Sequence, residues 1–177
     1  MNKLMIGSGP LTKERQGQGW VCVDGDPSSG ADIICTLPPL PDIGNDWDMI
    51  CAIHFIEHLF YEDAKKLITQ IHGVLNVGGR LVLEQANLAY VCRVILGEIQ
   101  PPVNRYPWMK GNPAWCGIWS MYPQPSMIDG NELNHHLYGY TPESLTAVVK
   151  ECGFEHVSIG AAYGHVVERD FRLEAIK

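Results

Sequence analysis

The chain has 177 residues, with 13 Lys+Arg against 20 Asp+Glu for a formal net charge of −7, and 46% of its residues are apolar. This length and apolar fraction suit one ordinary globular domain and exclude disordered and coiled-coil compositions. An acidic balance without any run of like charge argues against nucleic acid as a partner, since a phosphate backbone calls for clustered Lys and Arg.

The first residues, Met1 to Ile6, are too short and too weakly apolar for a secretory signal. No stretch approaches the ~20 apolar residues of a membrane span, so a cytoplasmic location is expected. The 18 glycines and 12 prolines give loops a large share of the chain, and long helical bundles are not expected. Six cysteines at positions 22, 35, 51, 92, 116 and 152 lie mostly within apolar runs and show no CxxC spacing. They are expected to be buried free thiols rather than disulfides or zinc ligands.

Short apolar runs recur along the chain. Leu4-Met5-Ile6, Trp20 to Val23, Ile33-Ile34-Cys35, Met49 to Ile53 and Arg80 to Glu84 are apolar on both alternate positions, the pattern of strands buried on both faces of a parallel sheet. Leu4-Met5-Ile6 runs into Gly7-Ser8-Gly9-Pro10, a glycine-rich turn that lets backbone N–H groups approach a nucleotide-like ligand. Position 12 is Thr12, so the third glycine of a dinucleotide fingerprint is missing. The segment to Gly19 is too short for a full phosphate-cradling helix, and NAD and FAD are disfavoured. Asp24 ends the second run, where a carboxylate beside the glycine turn can accept hydrogen bonds from both hydroxyls of a ribose.

From Leu37 to Asp46 three prolines and a glycine forbid a crossover helix and predict an extended loop. A helix is predicted from Tyr61, with Glu62 and Asp63 at its positive end and Ala64, Leu67, Ile68, Ile71 and Leu75 on one face, stopped by Gly78-Gly79. A second helix starts at Thr141-Pro142-Glu143-Ser144 and ends at Gly153. Phe154 to Ile159 and Arg169 to Ile176 then form a hairpin, so the last strand is expected to be antiparallel on an otherwise parallel sheet. Strands alternating with helices and closed by a hairpin define an α/β architecture. Between Leu88 and Gly139 lies a long excursion carrying Trp108, Trp115, Trp119 and tyrosines 90, 106, 122 and 138. Its length and aromatic content suggest a lid over a substrate.

The succession Ile6-Gly7-Ser8-Gly9-Pro10, Gly19-Trp20-Val21-Cys22-Val23-Asp24, Gly30-Ala31-Asp32-Ile33-Ile34, Trp47-Asp48-Met49-Ile50, His54-Phe55-Ile56-Glu57-His58-Leu59 and Val74 to Gly79 resembles the class I S-adenosylmethionine-dependent methyltransferases, in their short type 11-like form. Tyr140 to Leu145 and Cys152-Gly153-Phe154 resemble that family's last helix and the start of its terminal hairpin. The resemblance covers nearly the whole chain except residues 88 to 139. It implies a Rossmann-like, mostly parallel seven-stranded sheet in a single domain spanning 1–177. The helices that commonly precede the first strand are expected to be absent.

It further implies S-adenosyl-L-methionine as cofactor, with Ile6, Gly7, Ser8 and Gly9 along its methionine and ribose, and Asp24 and Gly25 at the ribose hydroxyls. Thr36 and Leu37 would border adenine, and Ala52 and His54 would face the methionyl amine. Thr36 replaces an acid often found there, and Pro10 replaces a glycine. The expected reaction is methyl transfer to a small molecule by a monomer or homodimer, without nucleic acid or membrane. Methyl transfer needs donor and acceptor aligned and, for a hydroxyl acceptor, a proton removed. The candidate bases are His54, His135 and Tyr138, with His136 and His165 nearby.

A non-catalytic protein of the same fold, binding cofactor or a partner, is the alternative. His54-Phe55-Ile56-Glu57-His58 also spells the H-x-x-E-H signature of zinc proteases. That chemistry needs both histidines on one helix. A strand-like run leads directly to His54, so no metal is expected and a zinc hydrolase through His54, Glu57 and His58 is the remote alternative.

Overall fold

The computed structural model describes residues 1–101, 113–121 and 136–177. Seven strands, β1 (Lys3–Ile6), β2 (Trp20–Asp24), β3 (Ile33–Ile34), β4 (Trp47–Ile53), β5 (Leu75–Ala86), β6 (His156–Ala161) and β7 (Asp170–Ile176), form one sheet in the order β3-β2-β1-β4-β5-β7-β6. β1 pairs in parallel with both β2 and β4, Ile6 lying opposite Val23 on one side and Ala52 on the other. β7 runs antiparallel to both β5 and β6, as the hairpin reading expects. The chain therefore winds outward from β1 in both directions, so the carboxyl ends of β1 and β4 flank a topological switch point, where open α/β sheets bind their ligands.

Alternation divides the strands between two faces. Leu4, Ile6, Val23, Ile50, Ala52, Leu81, Leu83, Leu173 and Ala175 form one core cluster with α2 (Tyr61–Val74) and α5 (Pro142–Glu151), which contribute Leu67, Ile68, Ile71, Leu145 and Val149. α5 is fixed at its start by a capping box in which Thr141 Oγ1 accepts from Ser144 N and Ser144 Oγ accepts from Thr141 N. On the opposite face Met5, Cys22, Cys51 and Val82 make a thinner cluster. The short α1 (Thr12–Gly17) lies beside it, its Thr12 carbonyl 3.8 Å from Cys22 Sγ. Farther along that face the side chains are charged: Arg172 bridges Glu84 and Glu174, and Glu174 also pairs with Arg80.

Three expectations are corrected. The Gly78-Gly79 pair does not stop α2. The helix ends at Val74, and β5 begins at Leu75, opposite Trp47, and runs on through both glycines. Gly78 takes φ +78 and donates to the Lys177 carbonyl, while a Cβ on Gly79 would lie 2.8 Å from the Asn76 carbonyl oxygen. The pair forms an irregularity inside a strand. The hairpin strands are also shifted, β6 starting at His156 because Phe154 is taken into the core. All six cysteines are free, but Cys92 is exposed and Cys35 only half-buried.

Within the 88–139 excursion, α3 (Leu88–Ile95) and α4 (Pro113–Met121) pack closely. Gly117 lies against Val91 and Ile95, and Val94 and Cys116 join Val166 in a separate apolar cluster. Trp108, Tyr106, Tyr122 and the candidate base His135 lie outside the described residues. Among the described residues no helix is long and apolar enough to cross a membrane.

Candidate active site

The glycine turn is built from backbone. Gly7 (φ +66) and Gly9 (φ +48) take left-handed conformations that favour glycine. Gly7 N donates to the Val23 carbonyl at 2.9 Å, drawing the ends of β1 and β2 together. Ser8 is buried with Oγ 2.6 Å from Thr12 Oγ1. A Cβ on Gly7 would come within 2.3 Å of Phe55, whereas nothing lies within 4 Å of one on Gly9, so the outer part of the turn borders open space.

Asp24, only 9% exposed at the end of β2, accepts from Gly9 N at 2.7 Å with Oδ2 and from Asp26 N at 2.9 Å with Oδ1. Each carboxylate oxygen offers about two acceptor directions, so both keep capacity for a hydroxyl. Ile6 and Ala52 are buried partners across the β1–β4 pair, Gly25 is half-buried, Thr36 is exposed and Leu37 is buried. The residues expected to hold a cofactor thus gather after the carboxyl ends of the adjacent strands β3, β2, β1 and β4. A ribose-bearing ligand fits this donor and acceptor set.

β4 ends at Ile53, and His54 takes φ +50, an unusual conformation for a non-glycine residue. The turn is over-determined. His54 N donates to the Glu84 carbonyl, Nδ1 lies 3.0 Å from Glu57 Oε1, and Nε2 lies 3.0 Å from Asp170 Oδ2. Burial alone would lower the His54 pKa, but the hydrogen bonds and charges of Asp170 and Glu57 outweigh it and raise the value to about 9. The ring is therefore held as an imidazolium at neutral pH. Burial likewise opposes ionisation of Asp170 and Glu57, yet His54, with Arg169 at Asp170, holds both carboxyls below their usual range.

Ile56–His58 forms a 3₁₀ turn, and α2 opens only at Tyr61 with Phe60 as its N-cap residue and no side-chain cap. Glu57 and His58 do not cap that helix. Instead the Glu57 carbonyl accepts from the backbone N of Leu137 (2.7 Å) and Tyr138 (3.1 Å), pinning the strap ahead of α5. The His58 and His136 rings stand edge to face at 4.8 Å. Tyr138 lies between Tyr61 and Tyr140, with ring centroids at 5.4 and 4.8 Å. His165 is 4.9 Å from the His54 ring, and its Nδ1 lies 3.2 Å from Arg169 Nη2.

Asp170 and Arg169 escape a reading of the sequence, because their roles depend on β7 lying beside β5. Glu84 escapes it likewise: its carboxylate accepts from Tyr163 N and Gly164 N and from Arg172.

Sheet order, switch point and glycine turn together define the class I methyltransferase fold. No known family profile matches the sequence, and no curated protein matches it. Solved structures do. An S-adenosylmethionine-dependent methyltransferase from Archaeoglobus fulgidus aligns with TM-score 0.60 at 15% identity, covering 99% of this chain and 86% of that one. Another from Mesorhizobium loti aligns with TM-score 0.62 at 15% identity, over 99% and 90%. Phosphoethanolamine N-methyltransferase 2 from Haemonchus contortus, in complex with S-adenosyl-L-methionine, gives TM-score 0.59 at 12% identity, over 100% of this chain and 48% of its own.

Proposed function

We propose that the chain binds S-adenosyl-L-methionine at the carboxyl ends of β1, β2 and β4 and transfers its methyl group to a small molecule. The observation that carries this reading is Asp24, a buried carboxylate at the end of β2 tied to the glycine turn through Gly9 N. When bound, the cofactor supplies an already activated sulfonium methyl for in-line displacement. Asp24 would receive the ribose hydroxyls, Gly7 to Gly9 would lie along the ribose and methionine, and Thr36 and Leu37 would border the base. Ala52 and the turn at His54 would face the methionyl end.

Held as an imidazolium between two carboxylates, His54 is a positioning residue rather than a base: it fixes the end of β4, the 3₁₀ turn and the start of β7 relative to one another. Phe55, packed over Gly7, keeps the inner wall of the turn dry. Residues 88–139 would form the lid over the acceptor, and the net charge of −7 favours a small molecule over a nucleic acid.

The test is calorimetric titration with S-adenosylhomocysteine. Saturable binding is expected, weakened by about 10–100-fold in Asp24→Ala, the equivalent of one charged hydrogen-bond set, and only partly restored in Asp24→Asn, whose amide keeps one acceptor but turns an NH2 toward the Gly9 or Asp26 N–H. No heat and no thermal shift with the intact chain would overturn the reading. Release of S-adenosylhomocysteine on incubation with a metabolite extract then separates an enzyme from a non-catalytic binder.

A further inference from the structure

The H-x-x-E-H stretch does not make the metal site its spelling suggests, because both ring nitrogens of His54 are already engaged by carboxylates. The fold nevertheless collects a different set. Glu57, His58 and His136 each offer a ligand atom, and the three atoms lie within 4.8 Å of one another. Glu57 and His58 come from the 3₁₀ turn after β4 and His136 from the strap ahead of α5, joined by the hydrogen bonds from Leu137 and Tyr138 to the Glu57 carbonyl.

An independent observation points into this cluster. Glu57 is 4% exposed, and while Oε1 pairs with His54, Oε2 is buried without a hydrogen-bond partner. Leaving a buried carboxylate oxygen unmet is costly, and a bound cation removes that cost. The His58 and His136 rings stand edge to face at 4.8 Å, so both imidazoles meet at this carboxylate. The second cluster, His54, His165 and Asp170, lacks this character, since its facing atoms are paired with one another and with Arg169.

We propose that Glu57 Oε2, His58 and His136 bind one first-row divalent cation, with Zn²⁺ the best match to two imidazoles and a carboxylate. Bonds of about 2.0–2.2 Å place tetrahedral ligands about 3.4 Å apart, so side-chain movements of about 1 Å close the set. Three protein ligands leave a fourth position for water or an oxygen or nitrogen of a bound molecule. The site is independent of the cofactor reading, and its test uses no cofactor.

The experiment is calorimetric titration of the metal-stripped chain with Zn²⁺ in a Cys92→Ser background, so that the exposed thiol does not compete. Co²⁺ substitution, read by its visible absorption, reports coordination. One equivalent of Zn²⁺ is expected, with binding weakened more than about 100-fold in His58→Ala and in His136→Ala. Loss of a ligand should exceed the roughly 10–100-fold lost with a ligand's hydrogen-bond partner. His156→Ala, on the exposed face of β6, should bind as the parent does. Melting curves establish that the histidine variants are folded; Glu57→Gln is secondary because Glu57 also holds His54. No saturable uptake by the intact chain, or uptake unchanged in folded His58→Ala and His136→Ala, would overturn the proposal. So would uptake lost only on substitution of His165.

Discussion

Asp170 Oδ2 lies 3.0 Å from His54 Nε2 across 116 residues of sequence, joining the first residue of β7 to the turn that ends β4. Asp170 also accepts from Arg169 Nε at 2.6 Å and from Val166 N at 2.9 Å, so one buried carboxylate ties the turn after β4 to the loop that leads into β7. Asp170→Asn removes the countercharge of a buried His54 and Arg169 and should destabilise the chain by about 3 kcal/mol, read by urea denaturation.

The same group sets an acid limit. The Asp170 carboxyl is held well below its usual range by His54 and Arg169 against the cost of burial. A group whose pKa is depressed on folding contributes stability that is complete above its unfolded value and lost as pH falls toward the folded one. Stability should therefore decline progressively below about pH 4, the unfolded aspartate value, and that part of the slope should be missing in Asp170→Asn. Denaturation curves at stepped pH measure it.

Gly7 and Phe55 form a steric pair. Gly7→Ala meets both a φ of +66 and the Phe55 ring 2.3 Å from the new Cβ, while Gly9→Ala meets only its φ of +48. Gly9→Ala should cost about 1–2 kcal/mol in backbone strain, and Gly7→Ala should cost more. In a double-mutant cycle, Phe55→Ala should recover about 1 kcal/mol of the Gly7→Ala loss. Additive effects would show that Phe55 does not set the space beside Gly7.

At the α3–α4 crossing, a Cβ on Gly117 would stand 2.5 Å from Ile95 Cγ1 and 3.0 Å from the Val91 carbonyl oxygen. Gly117→Val should separate the helices at a cost of about 1–3 kcal/mol from overpacking, seen as a lowered melting temperature. If these helices cover the acceptor, KM for the acceptor should rise while affinity for S-adenosylhomocysteine stays unchanged.

Thiol labelling provides an independent check on the sheet. Burial pushes the Cys51 thiol up to about 12, whereas Cys92 projects from α3 into solvent. A thiol so raised keeps only about 10⁻³ of the ordinary thiolate fraction, so the exposed Cys92 should react at once with a disulfide reagent and Cys51 only after unfolding. Mass spectrometry of the labelled peptides distinguishes them.

The strands, the two long helices and the closing hairpin were legible because each carries its own local signal: apolar runs, the Thr141 cap, the acids at the start of α2. The glycine turn and Asp24 were legible because strand, turn and acid follow one another within one short stretch. His54 at a strand end was legible for the same reason, but its charge state was not. That depends on Asp170, which only the β5–β7 pairing brings near. The meeting of His58 with His136 likewise depends on backbone bonds to the Glu57 carbonyl, which leave no mark on composition or spacing. Gly78-Gly79 reads as a helix stop because glycine is the commonest one; the pairing of Leu75 with Trp47 decides otherwise.

The reversal of strand direction at β7 also determines how many helical layers the domain requires. Parallel strands are joined by crossovers that cover both faces, whereas an antiparallel group can leave one face wet. Beyond β5 the face opposite α2 and α5 carries the Arg80, Glu84, Arg172 and Glu174 network in place of a second apolar layer. Among the described residues that face keeps a charged skin: Arg80 and Glu174 reach solvent, while Glu84 is buried beneath Arg172 and the Tyr163–Gly164 backbone. Changes that neutralise the skin, such as Arg172→Leu with Glu174→Leu, would turn it into an adhesive surface beside the open edge of β6.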